Sequence, residues 1–374
     1  MFTDPAICDA MTDETATPPL EPNMKTKTAL WTAIMIGIQL GTLSPLQASE
    51  CEIKPFNAPK AHQNRLNSGI VGRWDQTMEE TMIYFTDEQG AEQAFYSVQK
   101  QPADGSAESL ILFLHGFPEF AMAWEKELLK FGETQHAVAI DIKGHHYSAR
   151  PSDVAEYDFV RAAAEIRSII ECLGYEKATI VGHDFGGAIA WLTGMTQPEV
   201  VDKLIILNAP HPYLFGRALL DPEGDQAERS VYIGYATGDT ISSYIQFFMF
   251  LAKDMSILRN PFYKGIRFFR LLSENWLPLS RWKTMTNYYR SIPDISESDL
   301  YPEVLSDELR QFYTVEAPTL LLWGLADPYF SHDVLNGLDE FVPQLELQTF
   351  EQATHWINHE LDDLGDRIEQ FIEE

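Results

Sequence analysis

Apolar residues along this chain recur at two alternating spacings, and the alternation predicts the fold. MIYFT (82–86) and AFYSVQK (94–100) read as strands separated by the turn-forming DEQG. SLILFLH (109–115) is a near-continuous apolar run, the pattern of a strand buried on both faces. Helical spacing comes next in AMAWEKELLKF, then a strand in HAVAIDI (136–142), a helix around DFVRAAAEIRSIIECLG and a strand in ATIVGHD. A helix containing AIAWLTGM and a strand in KLIILNAP (203–210) continue the series. Strands alternating with helices predict an α/β fold with a mostly parallel sheet flanked by helices. From residue 211 to about 305 the spacing turns helical and the composition aromatic, with FFMF, RFF and NYY. Strands resume with TLLLWG (319–324) and ELQTFE (346–351), before an acidic closing helix. The organisation expected is one core, 81–210 and 306–374, interrupted by a helical cap, 211–305.

The first 80 residues have another pattern. In MKTKTALWTAIMIGIQLGTLSPLQAS, Lys25 and Lys27 precede the mostly apolar stretch Ala29 to Leu40, and Leu46-Gln47-Ala48 offers a cleavage site. That is the pattern of a secretory signal peptide, about Met24 to Ala48, and predicts a periplasmic or secreted protein. Its apolar core is short for a membrane span, so no stable membrane insertion is expected after cleavage; a signal anchor is the alternative. Met1 to Asn23 carries five acidic residues and no basic one, an odd leader that points to translation starting at Met24. Residues 49–80 are polar and irregular and read as an arm or short helices.

Charge narrows the partners. The chain carries a formal net charge of −29. Removal of residues 1–48 leaves 25 basic and 51 acidic residues. Such a field repels phosphate backbones, which argues against nucleic acid and anionic membrane surfaces. Of the three cysteines, Cys8 lies in the doubtful leader. Cys51 and Cys172 pair or stay free thiols, and spacing does not decide between the two.

Three strand ends carry candidate chemistry. ATIVGHDFGGA (178–188) has the shape of a strand-to-helix nucleophile elbow, with Asp184 where a serine is usual. Asp327 comes after the strand TLLLWG, and His355 after the last strand. The chain order of nucleophile, acid and histidine is that of an α/β-hydrolase triad. His115-Gly116-Phe117-Pro118-Glu119 sits just past the third strand, where a second oxyanion-binding N–H is expected, so the donors would be Phe117 N–H and Phe185 N–H. Each residue also has a plainer reading: Asp184 as a helix cap, Asp327 before Pro328 as a turn former, and His355 as a buried structural histidine. Their joint order favours catalysis. His183 reads as a buried support. His145 and His146 lack companions at metal-ligand spacing. No dinucleotide-binding Gly motif or phosphate-binding loop occurs, so neither cofactor nor metal is expected.

HGFPE, GHDFGG, NAPHP (208–212) and the late Asp and His-Trp resemble the epoxide hydrolases of the α/β-hydrolase superfamily, near relatives of haloalkane dehalogenases. The resemblance covers about residues 80 to 374. Two departures stand out. Phe185 replaces the Trp usual after the nucleophile, and Lys143-Gly144-His145-His146-Tyr147-Ser148 replaces an Arg-Gly-x-Gly-x-Ser run.

A carboxylate nucleophile suits a saturated carbon, where attack gives an alkyl ester that a His355–Asp327 pair then hydrolyses with water. A halide leaving group needs N–H donors, yet the two places that supply them in dehalogenases hold Phe117 and Phe185; Trp124 or a cap Trp remains able to give one. An opened epoxide needs its alkoxide protonated. The resemblance implies two cap tyrosines for this: Tyr244 in SSYIQFF and Tyr289 in NYYRS, with Tyr288 competing for the second role. Trp124, Trp356, His115 and Pro118 complete the expected substrate pocket. The reading is an exported enzyme taking a small apolar epoxide and water to a vicinal diol. The alternatives are a haloalkane or haloacid dehalogenase, and an exported binding or effector protein on a hydrolase scaffold. Oligomeric state is not legible.

Overall fold

A computed structural model of the chain describes residues 51–60, 74–253, 279–292 and 301–374. The leader, the signal segment and Cys8 lie outside these residues, as do parts of the arm and cap. Nine strands form one sheet: β1 (Glu52–Pro55), β2 (Glu79–Thr86), β3 (Glu92–Lys100), β4 (Leu110–Leu114), β5 (His136–Ile140), β6 (Ala178–His183), β7 (Val201–Leu207), β8 (Thr319–Gly324) and β9 (Leu345–Phe350). Their spatial order is β1-β2-β3-β5-β4-β6-β7-β8-β9. The β1, β2, β3 and β5 pairings are antiparallel, and every pairing from β5 through β4 to β9 is parallel.

Strand β4 shows why its sequence carries no alternation. Leu110, Leu112 and Leu114 point to one apolar cluster, while Ile111 and Phe113 point to a second cluster across the sheet. A strand covered by helices on both faces has no polar side to display. The long helices that cover it are α1 (Glu125–Phe131), α2 (Phe159–Cys172) and α3 (Phe185–Thr196). Asp158 starts α2 by accepting the N–H groups of Val160 and Arg161 at 2.9 and 3.1 Å.

Between β7 and β8 the described residues carry α4 (Pro212–Leu220), α5 (Tyr232–Thr237), α6 (Ile241–Lys253), α7 (Leu279–Met285), α8 (Asn287–Ser291) and α9 (Asp307–Tyr313). After strand β9 comes α10 (Leu364–Glu373).

The start of the chain departs from expectation. Glu52–Pro55, read as an irregular arm, is a strand paired with β2, with Glu52 opposite Tyr84. Its four residues are all exposed, so no apolar periodicity marks it. A disulfide from Cys51 to Cys172 pins this edge strand to the end of α2, across 121 residues of chain. Among the described residues no helix is long and apolar enough to cross a membrane.

Candidate active site

The elbow places Asp184 at the C-terminal edge of the sheet, in a conformation few side chains adopt. Its φ is 52° and ψ −118°, in the positive-φ region where a Cβ meets the backbone. Tight packing imposes this turn. A Cβ on Gly186 would run into the Leu114 carbonyl, and one on Gly182 into the carbonyl of Gly186. Asp184 precedes α3 yet makes no capping hydrogen bond to that helix, which removes the plain reading of its carboxylate.

Its two oxygens have different neighbours. Oδ1 accepts the Phe117 N–H at 2.7 Å. Oδ2 lies 3.4 Å from His355 Nε2. His355 Nδ1 donates to Asp327 Oδ2 at 2.9 Å. Asp327 Oδ1 accepts the N–H groups of Tyr329 and Phe330 at 2.7 and 3.1 Å. So Asp327 forms the turn expected before Pro328 and, with its other oxygen, also orients the histidine. Burial alone would raise the Asp184 carboxyl, but the hydrogen bond and charge of His355 hold it below its ordinary value. Burial alone would lower His355, but the charge of Asp327 and the hydrogen bond to Asp184 lift it to about 10.

The oxyanion loop is anchored from beneath. Gly186 N–H donates to the His115 carbonyl at 3.1 Å, tying elbow to loop, and Glu119 N–H closes the loop onto the Gly116 carbonyl at 2.9 Å. His115 Nδ1–H donates to the Gly116 carbonyl at 2.9 Å, and its Nε2 accepts the Ile142 N–H at 3.1 Å. His115 is therefore a neutral, fully buried brace of the loop rather than a wall of the pocket.

Asn208, just past β7 with φ 38°, is a group to which the sequence reading gave no role. Its Nδ2 donates to Asp327 Oδ2 at 2.6 Å and its Oδ1 accepts the Gly324 N–H at 2.7 Å. An asparagine just past a strand is the signal available, since Asn tolerates positive φ. A buried network also lies behind the histidine. His183 Nε2–H donates to the His355 carbonyl at 2.7 Å, in the support role expected of it. Glu119 meets His359 Nε2 at 2.6 Å and accepts from Asn358 at 3.2 Å. Burial opposes the Glu119 charge, but His359 and His183 hold its carboxyl well below the ordinary range.

Aromatic rings roof the site. Tyr289 lies 4.7 Å from Phe185 and 5.6 Å from Phe117, centroid to centroid. Phe247 stands 5.5 Å from Phe117, and Trp282 also 5.5 Å. The phenol facing Tyr289 is that of Tyr232: the two hydroxyls interact, and both feel the Asp184 charge. Burial raises both phenols well above their ordinary value, so each stays protonated. The sequence reading puts Tyr244 in this place, but α6 turns Phe247 inward and leaves Tyr244 half-buried against the core. Tyr288 packs on Phe159 and Tyr157, at 5.2 and 5.4 Å, and contacts Phe185 at 5.2 Å.

Two other expected pocket residues lie elsewhere. Trp124 packs on Phe113 at 5.3 Å, in the apolar cluster on the sheet face opposite Phe117 and Phe185. Trp356 belongs to that same cluster and touches the site through His355, at 5.3 Å. Pro118 is buried in the loop beside Phe117. His146 hydrogen-bonds Asp141 at 2.7 Å. Among the described residues no group of three His, Cys, Asp or Glu is placed to hold a metal ion.

The profile of the α/β hydrolase fold family matches residues 109–361. Epoxide hydrolase 1 of Caenorhabditis elegans is 29% identical over 274 residues, 70% of this chain, which spans 64% of that protein's length. Epoxide hydrolase 4 of Mus musculus is 30% identical, with 68% of this chain and 70% of that protein covered. The crystal structure of the Bacillus megaterium epoxide hydrolase with an inhibitor superposes with a TM-score of 0.65 at 27% identity, covering 75% of this chain and 98% of that one. An aspartate at the elbow, a histidine and acid at later strand ends, and relatives of this kind lead to one placement: the chain belongs to the α/β-hydrolase family, on its epoxide hydrolase branch.

Proposed function

We propose that the protein is an exported epoxide hydrolase working through an alkyl ester on Asp184. The observation that carries this reading is the division of labour between the carboxylate oxygens. Oδ1 is held by the Phe117 N–H, while Oδ2 faces His355 beneath two phenols.

In the first step Oδ2 attacks a ring carbon of the epoxide. A C–O bond forms to Asp184, the ring C–O bond breaks, and the alkoxide takes a proton from Tyr232 or Tyr289. His355, protonated at rest because its pKa stands at about 10, then gives its proton back to the phenolate. Esterification removes the Asp184 charge, and with it part of what raised His355, so the imidazole becomes a base. In the second step His355 takes a proton from water, and the hydroxide attacks the ester carbonyl. The Phe117 and Phe185 N–H groups receive the oxyanion on Oδ1. Collapse releases the diol and restores anionic Asp184 and protonated His355, so the protons balance over one turnover.

Phe117 and Phe185 have no N–H in their side chains to receive a halide, which favours the epoxide over a carbon–halogen bond. Export is supported by the signal-peptide pattern and by the Cys51–Cys172 bridge, since reducing compartments seldom keep structural disulfides. Fractionation of cells making the full chain tests that part.

Single turnover in ¹⁸O-labelled water tests the chemistry. With enzyme in excess, the diol should carry no label and the Asp184 carboxyl should gain it, read by peptide mass spectrometry. Direct label in the diol would mean that water attacks the epoxide itself. Epibromohydrin, with both an epoxide ring and a carbon–bromine bond, separates the alternatives: bromide released before diol marks a dehalogenase, and neither product from active-site-intact protein favours a binding role.

A further inference from the structure

Tyr289 reaches the site from a short stretch of the cap that is tied to the core on both sides of it. Thr284 Oγ1, in the last turn of α7, lies 3.0 Å from the Gly144 carbonyl. Ser291 Oγ, at the end of α8, lies 2.8 Å from the Tyr157 carbonyl. A hydroxyl on a helix commonly donates back to a carbonyl of its own preceding turn, and both do so here: Thr284 to Arg281 at 2.9 Å and Ser291 to Tyr288 at 2.8 Å. One such acceptor satisfies the one hydroxyl hydrogen. The helices therefore do not account for the second carbonyl, which the core contributes in each case, and the hydrogen is shared across the junction.

Both anchors are themselves fixed. Gly144 has φ 86°, and a Cβ there would stand 2.7 Å from the Tyr157 ring and 2.8 Å from the Thr284 carbonyl. The cap backbone thus meets the core loop where only glycine leaves room. Gly144 N–H donates to the Ala149 carbonyl at 2.8 Å. Lys143, fully buried and next in sequence, donates from Nζ to the Glu156 carbonyl at 3.0 Å and pairs with Glu165 of α2. One buried ammonium holds the neighbours of both anchors, Gly144 and Tyr157.

Between the ties the contacts are of another kind. Tyr288 packs on Tyr157 and Phe159, and Tyr289 on Phe185 and Phe117, ring against ring. Apolar contact is non-directional and tolerates sliding along the helix axis. Hydrogen bonds are restricted in length and angle, so the two hydroxyls set the register of this stretch on the core. We propose that Thr284 and Ser291 are positioning residues that hold the Tyr289 phenol over Asp184 for ring opening. The assignment rests on the epoxide reading, since the step it tunes is protonation of the alkoxide.

The test is a cycle of variants read one step at a time. Rapid mixing with an epoxide, quenched into intact-mass analysis, gives alkylation and ester hydrolysis separately for Thr284→Val, Ser291→Ala and the pair. Alkylation should slow about three- to tenfold in each single variant and at least about tenfold in the pair, with ester hydrolysis within about twofold of the parent. Thr284→Ser and Ser291→Thr should restore alkylation. On a Tyr289→Phe background the pair should cost less than about twofold more, because the group it positions is gone. Each single variant leaves the other tie in place, so the test does not depend on the pair folding. Alkylation at the parent rate overturns the assignment. So does equal slowing of both steps, which marks general loosening, or a loss undiminished on the Phe background. A parent that forms no alkyl-enzyme sinks the epoxide reading and this assignment with it, whereas a parent that alkylates beside variants that match it sinks the assignment alone.

Discussion

Asn208→Ala should weaken both the fold and the second half of the catalytic cycle. Three costs can be read from the geometry. Alanine at φ 38° loses the tolerance Asn has for this region, at about 1 kcal/mol. The Gly324 N–H, buried and bonded to Asn208 Oδ1 at 2.7 Å, loses its acceptor, at about 1–3 kcal/mol. Asp327 Oδ2 loses a donor at 2.6 Å, a charge-assisted bond worth about 1.5–3 kcal/mol. The three share one small volume and do not add in full, so roughly 3–5 kcal/mol is expected. For a chain of this size that lowers the melting temperature by roughly 4–7 °C, measured by circular dichroism or calorimetry. Asp327 keeps His355 and two backbone N–H groups, so alkylation should stay within a few-fold of the parent. Ester hydrolysis, which needs His355 aimed at water, should slow about ten- to a hundredfold. The alkyl-enzyme would then accumulate and show in intact-mass spectra. A melting temperature within about 2 °C of the parent, with no accumulated ester, would refute the reasoning. Asn208→Asp tests the sign: it sets a second carboxylate against Asp327, and its stability relative to the parent should improve as pH falls and one of the pair takes a proton.

Other outcomes are expected of the same site and its surroundings. Tyr232→Phe and Tyr289→Phe should each slow ring opening by about a hundredfold, whereas Tyr244→Phe should change it less than about threefold; equal losses at 232 and 244 would reject the assignment of the second phenol. His355 has its folded value raised from 6.5 to about 10, so its stabilisation is complete below pH 6.5 and lost as pH rises through about 10. Melting temperature against pH should show that decline in the parent and lose it in His355→Gln. Glu127, buried in α1, is raised by burial from 4.5 to about 7, so its carboxylate costs nothing below pH 4.5 and most above pH 7. Glu127→Gln should therefore stabilise the protein by up to about 3 kcal/mol at pH 8 and hardly at pH 4; equal effects at both pH values in denaturant titrations would count against the buried charge.

Strand ends are legible in the sequence because each parallel strand is a bounded apolar run, and the residues just past its C-terminal end must lie at one edge of the sheet. That groups Asp184, Asp327 and His355 from the sequence alone. Other positions depend on facts that spacing does not carry. Helical periodicity shows that Trp124 faces inward, but not which side of the sheet is inside, and the crossover puts it on the side away from Phe117. In the cap nearly every helical face is aromatic, so periodicity does not single out one. The elements against which α6 packs decide that Phe247 rather than Tyr244 meets Phe117, and Tyr232 reaches the site from a different helix. Strand β1 is exposed along its length and too short for alternation to mark, so its pairing and the Cys51–Cys172 bridge appear only in three dimensions.

Asp327 and Asp184 show how far a plain reading and a catalytic one can be held apart. For Asp327 they do not compete. One carboxylate oxygen builds the Asx-type turn with Tyr329 and Phe330, and that turn fixes the second oxygen where Asn208 and His355 meet it. The turn is thus the means by which the acid is preorganised, and a residue that made only the turn would leave the histidine without a partner. For Asp184 the readings do compete, because a carboxylate bonded to the N-terminal N–H groups of α3 would be turned away from His355. The positive φ resolves the conflict. It carries the side chain off the helix axis toward the Phe117 N–H, so the strain at this residue is what keeps an ionised carboxylate facing the phenols instead of capping its own helix.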